Sequence, residues 1–385
     1  MERSGALVIE GHVQGLSNTR SLGEAGVPVY VADTGNCLAR YSRYCRKFLK
    51  CPAYDSAEFP VFLAETAERE RFDGWLLLPS NDHAVYNIAK NSELLRTKYR
   101  LITPEIDIID KIYNKQALIT AAVKCGLPVP VSWFPESSVS EIIDTATFPC
   151  LVKGKNGLSF YRRTGKKAFI CNSVAELKRT VSMLEQQMSL QDIFVQELLP
   201  LKDNKTVSFA AFVLEGNIVS AWAGVKIREH PLHFGTSTYS QSISSTPFYL
   251  LAERLLRELN YNGICEIEFL QDPRDGQYKL IEINARTWLW VDLARMCGVD
   301  FALYAYNFVN GIENDYSVSY GLNKEWMHYL TDIPFSILGM LKGEYTLKEI
   351  MSSYYRKPAP AVFRRSDLLP SFAELFLLPS MILKR

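Results

Sequence analysis

Residues 278–290 read YKLIEINARTWLW, and the placement of this stretch on a strand governs how the rest of the chain is read. On an extended backbone successive side chains point to opposite faces, so Glu282, Asn284 and Arg286 share one side while Ile281, Ile283 and Ala285 share the other. The apolar row needs a core. The polar row gathers a carboxylate, an amide and a guanidinium beside Trp288 and Trp290. Upstream, GICEIEFL (263–270) alternates in the same way, and QDPRDG between the two supplies turn chemistry with Asp275 and Gly276 at its tip. A hairpin symmetric about Asp275 sets Glu268 opposite Glu282, with Glu266 on the face of Glu268. A slip of one residue would turn either carboxylate to the other face.

Opposed carboxylates repel each other unless something positive joins them. Two Glu and one Asn offer hard oxygen donors of the kind Mg²⁺ accepts while it keeps positions for water and phosphate oxygens. Glu268, Glu282 and Asn284 are therefore candidate metal ligands. Arg286, one step further along the face, suits a reacting carboxylate or a developing negative charge. The competing reading is a structural ion pair of Arg286 with Glu282 on a solvated strand face.

Outward from the hairpin, residues 5 to 105 alternate between strands and helices: ALVIEG, a helix from Ser17 to Ala25, VPVYVAD, a helix near Glu58 to Glu70, GWLLLPS, a helix from Asp82 to Leu95, and YRLITP. This order predicts a parallel sheet with helices on both faces. Ligands of such sheets collect at the carboxyl ends of strands, here Gly11, His12, Gly15, Asp33 and the cluster Ser80, Asn81, Asp82. GHVQGL is half of a dinucleotide fingerprint without its third glycine, and the remainder of the chain points to a different nucleotide site. A helix then runs from Asp110 to Lys124, closed by Gly126 and LPVP. FPCLVKGKNGLSFYRRTGKKAFIC predicts two strands around a Gly- and Arg/Lys-rich loop, followed by a helix near Ser173 to Gln187. DIFVQELLP and KTVSFAAFVLEGNIVSAWAGVKI add strands, the second segment turning at Glu215, Gly216 and Asn217, and a helix at Phe248 to Leu259 leads into the hairpin.

The 385 residues exceed what one hydrophobic core usually organises. Lys plus Arg number 43 against 42 acidic residues, so no global field recruits nucleic acid or an anionic membrane. The eight cysteines form no CxxC pair, which predicts reduced thiols and a cytoplasmic protein. The HxxH at His230 and His233 straddles Pro231 without a nearby cysteine, so no metal is expected there. The N-terminus opens into GALVIEG without the regions of a signal peptide, and no stretch is apolar for long enough to span a membrane. The nearest is the tail DLLPSFAELFLLPSMILKR, interrupted by Pro370, Glu374 and Pro379. It reads as a helix packed on its own protein, with docking on a partner or a membrane surface as the alternative.

In order and spacing these motifs resemble the ATP-grasp superfamily, and within it the carboxylate–amine ligases of the D-aspartate ligase group. The resemblance spans residues 1 to about 310, from SLGEAGVPVYVAD and RYSRYCRKFLKCP through LIEINARTWLW, and the last 75 residues match only loosely. It implies an α/β chain with an N-terminal Rossmann-like, pre-ATP-grasp parallel-sheet domain over 1–107. An ATP-grasp domain over 108–310 follows, with a lid at about 128–195, and then a C-terminal helical extension over 311–385. It also implies ATP and Mg²⁺ or Mn²⁺ as cofactors.

By the same resemblance Lys115 in NKQALITAAVKCGLPVP binds phosphate, with Asn114 in place of the usual Asp and Asp110–Lys111 as the alternative pair. Lys153 of CLVKG is the second phosphate ligand. The loop after it offers Gly154, Gly157, Ser159 and Gly165 as backbone for the triphosphate, while Arg162, Arg163, Lys166 and Lys167 are either charge for that loop or a solvated face. Glu197, Leu198 and Leu199 form the adenine hinge, and Asp203 reaches the ribose. Glu268, Glu282 and Asn284 hold the metal, and Arg286 lies near the transferred phosphate. Lys226 and Arg228, in GVKIREHPLHFGTS, bind the substrate carboxylate or acyl phosphate. His233 and Phe234 stand where relatives often carry small residues. The implied reaction couples a small-molecule carboxylate to an amine through an acyl phosphate, releasing ADP and phosphate, in a chain expected to form a homodimer. A carboxyphosphate-forming enzyme and a nucleotide-binding scaffold without turnover are the competing readings.

Overall fold

The N-terminal strands are nearly continuous apolar runs, the pattern of a parallel sheet covered on both faces. The computed structural model, which describes residues 4–201, 205–232, 235–316 and 319–383 with side chains as far as Leu377, bears this out. Strands β1 (Ala6–Ile9), β2 (Val29–Asp33), β3 (Cys45–Lys50), β4 (Trp75–Pro79) and β5 (Tyr99–Leu101) form an all-parallel sheet in the order β3-β2-β1-β4-β5. The strand order reverses between β1 and β4, which opens a crevice at their carboxyl ends. Strand β3 was not anticipated. It is an edge strand with Arg46, Lys47 and Lys50 exposed, and such charges keep an edge from pairing with another chain while removing the apolar alternation by which a strand is recognised.

The single helix expected over Asp110–Lys124 is two helices, Ile106–Tyr113 and Lys115–Lys124. Asn114 separates them with an extended backbone, and its side chain accepts from the N–H groups of Gln116 and Ala117 as an N-cap. The break sets Lys115 at the first position of the second helix.

The segment expected as the lid holds a four-stranded antiparallel sheet, ordered β6 (Ser132–Trp133), β9 (Ile193–Glu197), β7 (Cys150–Gly154), β8 (Phe169–Cys171). The expected Gly-rich loop between β7 and β8 is instead a helix, Gly157–Thr164, capped by the Asn156 side chain and ended by Gly165 at φ 67°. Gly154 is needed for packing, because a Cβ there would lie 2.3 Å from Phe160.

The large sheet is ordered β14 (Tyr278–Asn284), β13 (Gly263–Gln271), β10 (Lys205–Leu214), β11 (Asn217–His230), β12 (Thr236–Ile243), β15 (Glu325–Met327), β16 (Ala359–Pro360). The β10–β11 hairpin turns at Glu215 and Gly216, both at positive φ, as a two-residue turn matching strand twist requires. Val207, Phe209 and Ile267 pack with Phe248 and Leu255 on one face. On the other, Phe212, Trp222, Trp288 and Trp290 join Val8, Leu78 and Phe301 in a core continuous with the N-terminal sheet. Trp222 stacks on Trp288 at 5.6 Å and meets Trp290 edge-on at 5.3 Å. The C-terminal extension is not purely helical, since β15 and β16 complete the large sheet. Among the described residues no helix is long and apolar enough to cross a membrane.

Candidate active site

At the open end of the β13–β14 hairpin the register is the one that symmetry about Asp275 predicts, with Glu268 opposite Glu282 and Glu266 opposite Asn284. Nearer the turn a bulge shifts it, Phe269 opposing Leu280, so Leu280 rather than Ile281 joins Ile283 and Ala285 in the core. On the adjoining strand Ser208 stands beside Glu268 and donates to Glu266 at 2.6 Å. Each member of the opposed pair meets a lysine, Lys226 reaching Glu268 at 3.0 Å and Lys115 reaching Glu282 at 3.2 Å. Lys115, with Lys167 and Lys153 adding, holds the Glu282 carboxyl well below the usual range. Burial and the neighbouring Glu268 push Glu266 up to about 7, and Asn284 Nδ2 donates to it at 3.1 Å. Among the described residues no three His, Cys, Asp or Glu side chains form a metal cage. Two facing carboxylates and an amide still fit a hard divalent cation that draws its remaining ligands from water and phosphate. The lysine on each carboxylate marks the demand for positive charge there.

Lys153 comes from the lid, on β7, with its Nζ 3.3 Å from Gln196 Oε1 and 6.0 Å from the Phe194 ring centre. Burial and the charge of Lys115 hold its ammonium down to about 8. Lys115 touches the Glu282 carboxylate, and the charges of Lys153 and Lys167 act on the same group, an excess of positive charge that favours a polyanion. Lys111 is exposed on the preceding helix, and the hairpin carboxylate takes Lys115 instead. Arg162 pairs with Asp55 of the N-terminal domain, so the lid helix is tied across to that domain.

At the end of β9, the N–H of Glu197 goes to Val131 O at 2.9 Å and that of Leu198 to Pro149 O at 3.2 Å. The Glu197 carboxylate is buried and accepts from Val131 N–H and Arg274. Its place is in the lid sheet, and the Leu199 N–H has no partner among the described residues. Asp203, His233 and Phe234 lie outside the described residues.

Arg286 does not pair with Glu282. Its guanidinium makes two 2.8 Å bonds to Asp82, at the carboxyl end of β4, and a 3.3 Å contact to Asn284 Oδ1. The crevice of the N-terminal sheet therefore meets the polar row of the hairpin at this ion pair. Glu10, which closes β1 at the left-handed φ of 69°, accepts from Gln14 at 2.7 Å and Asn81 at 3.2 Å. A glutamate rarely adopts that backbone, and such strain collects at functional sites. Sequence reasoning passed over Glu10, although an acid directly after an apolar parallel strand was the available signal.

Arg228 is a correction. A β-bulge between Lys226 and Arg228 sends the two side chains apart. Arg228 turns away from the carboxylates into a bidentate pair with Asp332, at 3.0 and 2.6 Å, and is 5% exposed. It cannot reach a substrate at the hairpin, whereas Lys226 does face it.

Residues 228–315 match the family model for the carbamoyl-phosphate synthase L chain, ATP binding domain. A D-aspartate ligase of Enterococcus faecium is 25% identical over 288 residues, 69% of this chain and 67% of that one. Of solved structures, a biotin carboxylase–β,γ-ATP complex from Campylobacter jejuni superposes with a TM-score of 0.67 at 14% identity, covering 84% of this chain and 74% of that one. An L-amino acid ligase from Bacillus licheniformis superposes with a TM-score of 0.60 at 16% identity, covering 80% and 75%. The structural likenesses are likenesses of fold.

Proposed function

The chain has the ATP-grasp fold, and from that premise we propose that it is an ATP-dependent carboxylate–amine ligase. A substrate carboxylate attacks the γ-phosphorus of ATP, ADP leaves, and an amine displaces phosphate from the acyl phosphate to give an amide. The observation that carries this reading is the facing pair Glu268 and Glu282, each in contact with a lysine, Lys226 and Lys115, with the charges of Lys153 and Lys167 acting on Glu282 as well. Positive charge of this kind about facing carboxylates suits a triphosphate together with its divalent cation. The relatives named for D-aspartate and L-amino acids support an amino acid among the substrates.

In this reading Lys115 and Lys153 hold the triphosphate, and the backbone at Glu197, Leu198 and Leu199 lies against adenine. Glu268, Glu282 and Asn284 would hold Mg²⁺ or Mn²⁺, which when bound neutralises charge building on the phosphate oxygens. Arg286, fixed by Asp82, faces the transferred phosphoryl group, and Lys226 steers the acid. No side chain is needed as a nucleophile, since positioning and charge stabilisation suffice for phosphoryl transfer. The lid keeps water from the acyl phosphate.

The test is a screen of pooled acids and amines, with ADP and AMP assayed on the same mixtures. One ADP and one phosphate per amide are expected. Glu282→Gln should abolish metal-dependent turnover while circular dichroism stays unchanged. AMP with pyrophosphate would overturn the acyl-phosphate route, bicarbonate-dependent ADP release without amine would point to carboxyphosphate chemistry, and ATP binding without ADP release for any pair would leave a scaffold.

A further inference from the structure

The C-terminal helices are built inside out. Helix Tyr329–Leu341 turns Thr331, Asp332 and Ser336 inward, where Asp332 receives Arg228, Thr238 and Tyr354. Its outward row is Ile333, Ile337, Leu338 and Leu341, the last 76% exposed. Helix Leu347–Tyr355 sets Leu347, Met351 and Tyr355 outward at intervals of four. Helix Leu369–Leu383 buries Pro370, Ala373 and Glu374, yet Leu369, Phe372, Leu375 and Phe376 also face out, Phe376 at 84% exposure. The three helices are joined through Ser336 to Tyr354 and His328 to Glu374. A helix apolar toward solvent is expected to be covered by something.

Charge identifies the cover. Of the acids in this region, Asp332, Asp367 and Glu374 are buried in internal bonds, and Glu349 caps its own helix. Lys342, Lys348, Lys357 and Arg365 are exposed and form no ion pair among the described residues, against Glu344 as the other exposed acid. Lys384 and Arg385 follow the last helix in sequence. A second copy of the chain would bring this positive fringe against itself, whereas an anionic lipid surface complements it. The last helix presents Leu369, Phe372, Leu375 and Phe376 at spacings of three and four on one side, as a helix lying in the interface plane does.

We propose that the face formed by helices 329–341, 347–355 and 369–383 docks the protein on an anionic phospholipid surface, with Phe372 and Phe376 entering the headgroup region and Lys342, Lys348, Lys357 and Arg365 meeting lipid phosphates. This rests on the C-terminal face alone and stands whether or not the ligase reading holds.

The full chain is centrifuged with vesicles of phosphatidylcholine, or of phosphatidylcholine mixed with phosphatidylglycerol. Partition onto the mixed vesicles is expected to be at least about tenfold stronger and to fall as salt is raised. Phe372→Ser with Phe376→Ser should abolish it. Lys342→Glu with Lys357→Glu, which leaves the apolar rows intact, should weaken it by at least about fivefold for each charge lost. Equal binding to both vesicles, no binding to either, or unchanged binding by the Phe372→Ser, Phe376→Ser variant would overturn the proposal. So would a concentration-dependent dimer in sedimentation velocity that Phe376→Asp abolishes, which would assign the face to a second copy.

Discussion

Lys115 and Lys153 repel each other, and Lys153 is already depressed to about 8, so each is held near the other by the fold and relieved by an anion between them. Removing either charge-assisted contact should weaken ATP binding roughly ten- to a hundredfold, from about 1.5–3 kcal/mol. Calorimetric titration of Lys115→Ala and Lys153→Ala tests this, with Lys111→Ala expected to match the parent; a larger effect at Lys111 would move the motif one helix back. Glu10 gives a second test. Burial, opposed by Arg286 and reinforced by Asp33 and Asp82, pushes its carboxyl from an ordinary 4.5 up to about 7. Between those values the folded state binds a proton that the unfolded chain has released, so stability is full below the lower value and drains away as pH rises through the upper one. Glu10→Gln should therefore be more stable than the parent near pH 8, by on the order of 1–3 kcal/mol, with the gap closing toward pH 4. Denaturant melts at the two pH values measure it, and a gap that widens on acidification would mean that Glu10 is ionised in the fold.

At the scale of elements, what the sequence made legible was periodic and local. The two-residue alternation of 263–270 and 278–284 about Asp275 set Glu268 against Glu282 as found, but it missed the bulge between that pair and the turn, which puts Leu280 in place of Ile281 on the buried face. Where a residue with a local alternative intervened, the reading failed. Asn114 caps a helix in the middle of a helical pattern, and Asn156 starts a helix inside a run read as loop. Strand β3 was hidden by its own charges. The partner of Arg286 was out of reach for a different reason, since Asp82 is 204 residues away in sequence and no local rule brings the two together. Arg228 shows what a bulge does to an alternation argument: counting by twos puts it with Lys226, and the inserted residue turns it to Asp332. Asp332 is fully buried, so Arg228→Met leaves a buried carboxylate with only Thr238 and Tyr354, and should cost roughly 3–5 kcal/mol. Urea denaturation should show that loss while turnover per folded molecule stays near that of the parent. A variant that folds normally but fails to turn over would return Arg228 to the site.

At the scale of the whole molecule, the chain closes on itself. Arg20, in the first helix of the N-terminal domain, is 1% exposed and bonds Asp367 through Nε at 2.9 Å and the Asp367 carbonyl at 3.1 Å. Ser42 and the Arg43 N–H, both at 2.8 Å, complete the shell of the same carboxylate. The C-terminal extension, having completed the large sheet through β15 and β16, thus returns to the first domain. Ser17 to Asp292, Ser21 to Asp300 and Asn18 to Thr287 tie the same first helix to the segment just beyond the β13–β14 hairpin. The angle between crevice and hairpin, and with it the Asp82–Arg286 contact, is set by these polar ties as much as by the tryptophan core. Asp367→Ala removes a carboxylate that serves three donors and leaves the buried Arg20 guanidinium without its counter-charge, a loss of roughly 3–5 kcal/mol. The effect should spread along the chain rather than stay local. Hydrogen exchange in Asp367→Ala should quicken both in residues 363–377 and in the first helix, Val13–Glu24, while the lid strands keep the parent rate. Faster exchange confined to the C-terminal segment would show that the first helix holds its place without the tie, and that the extension covers the domain without helping to orient it.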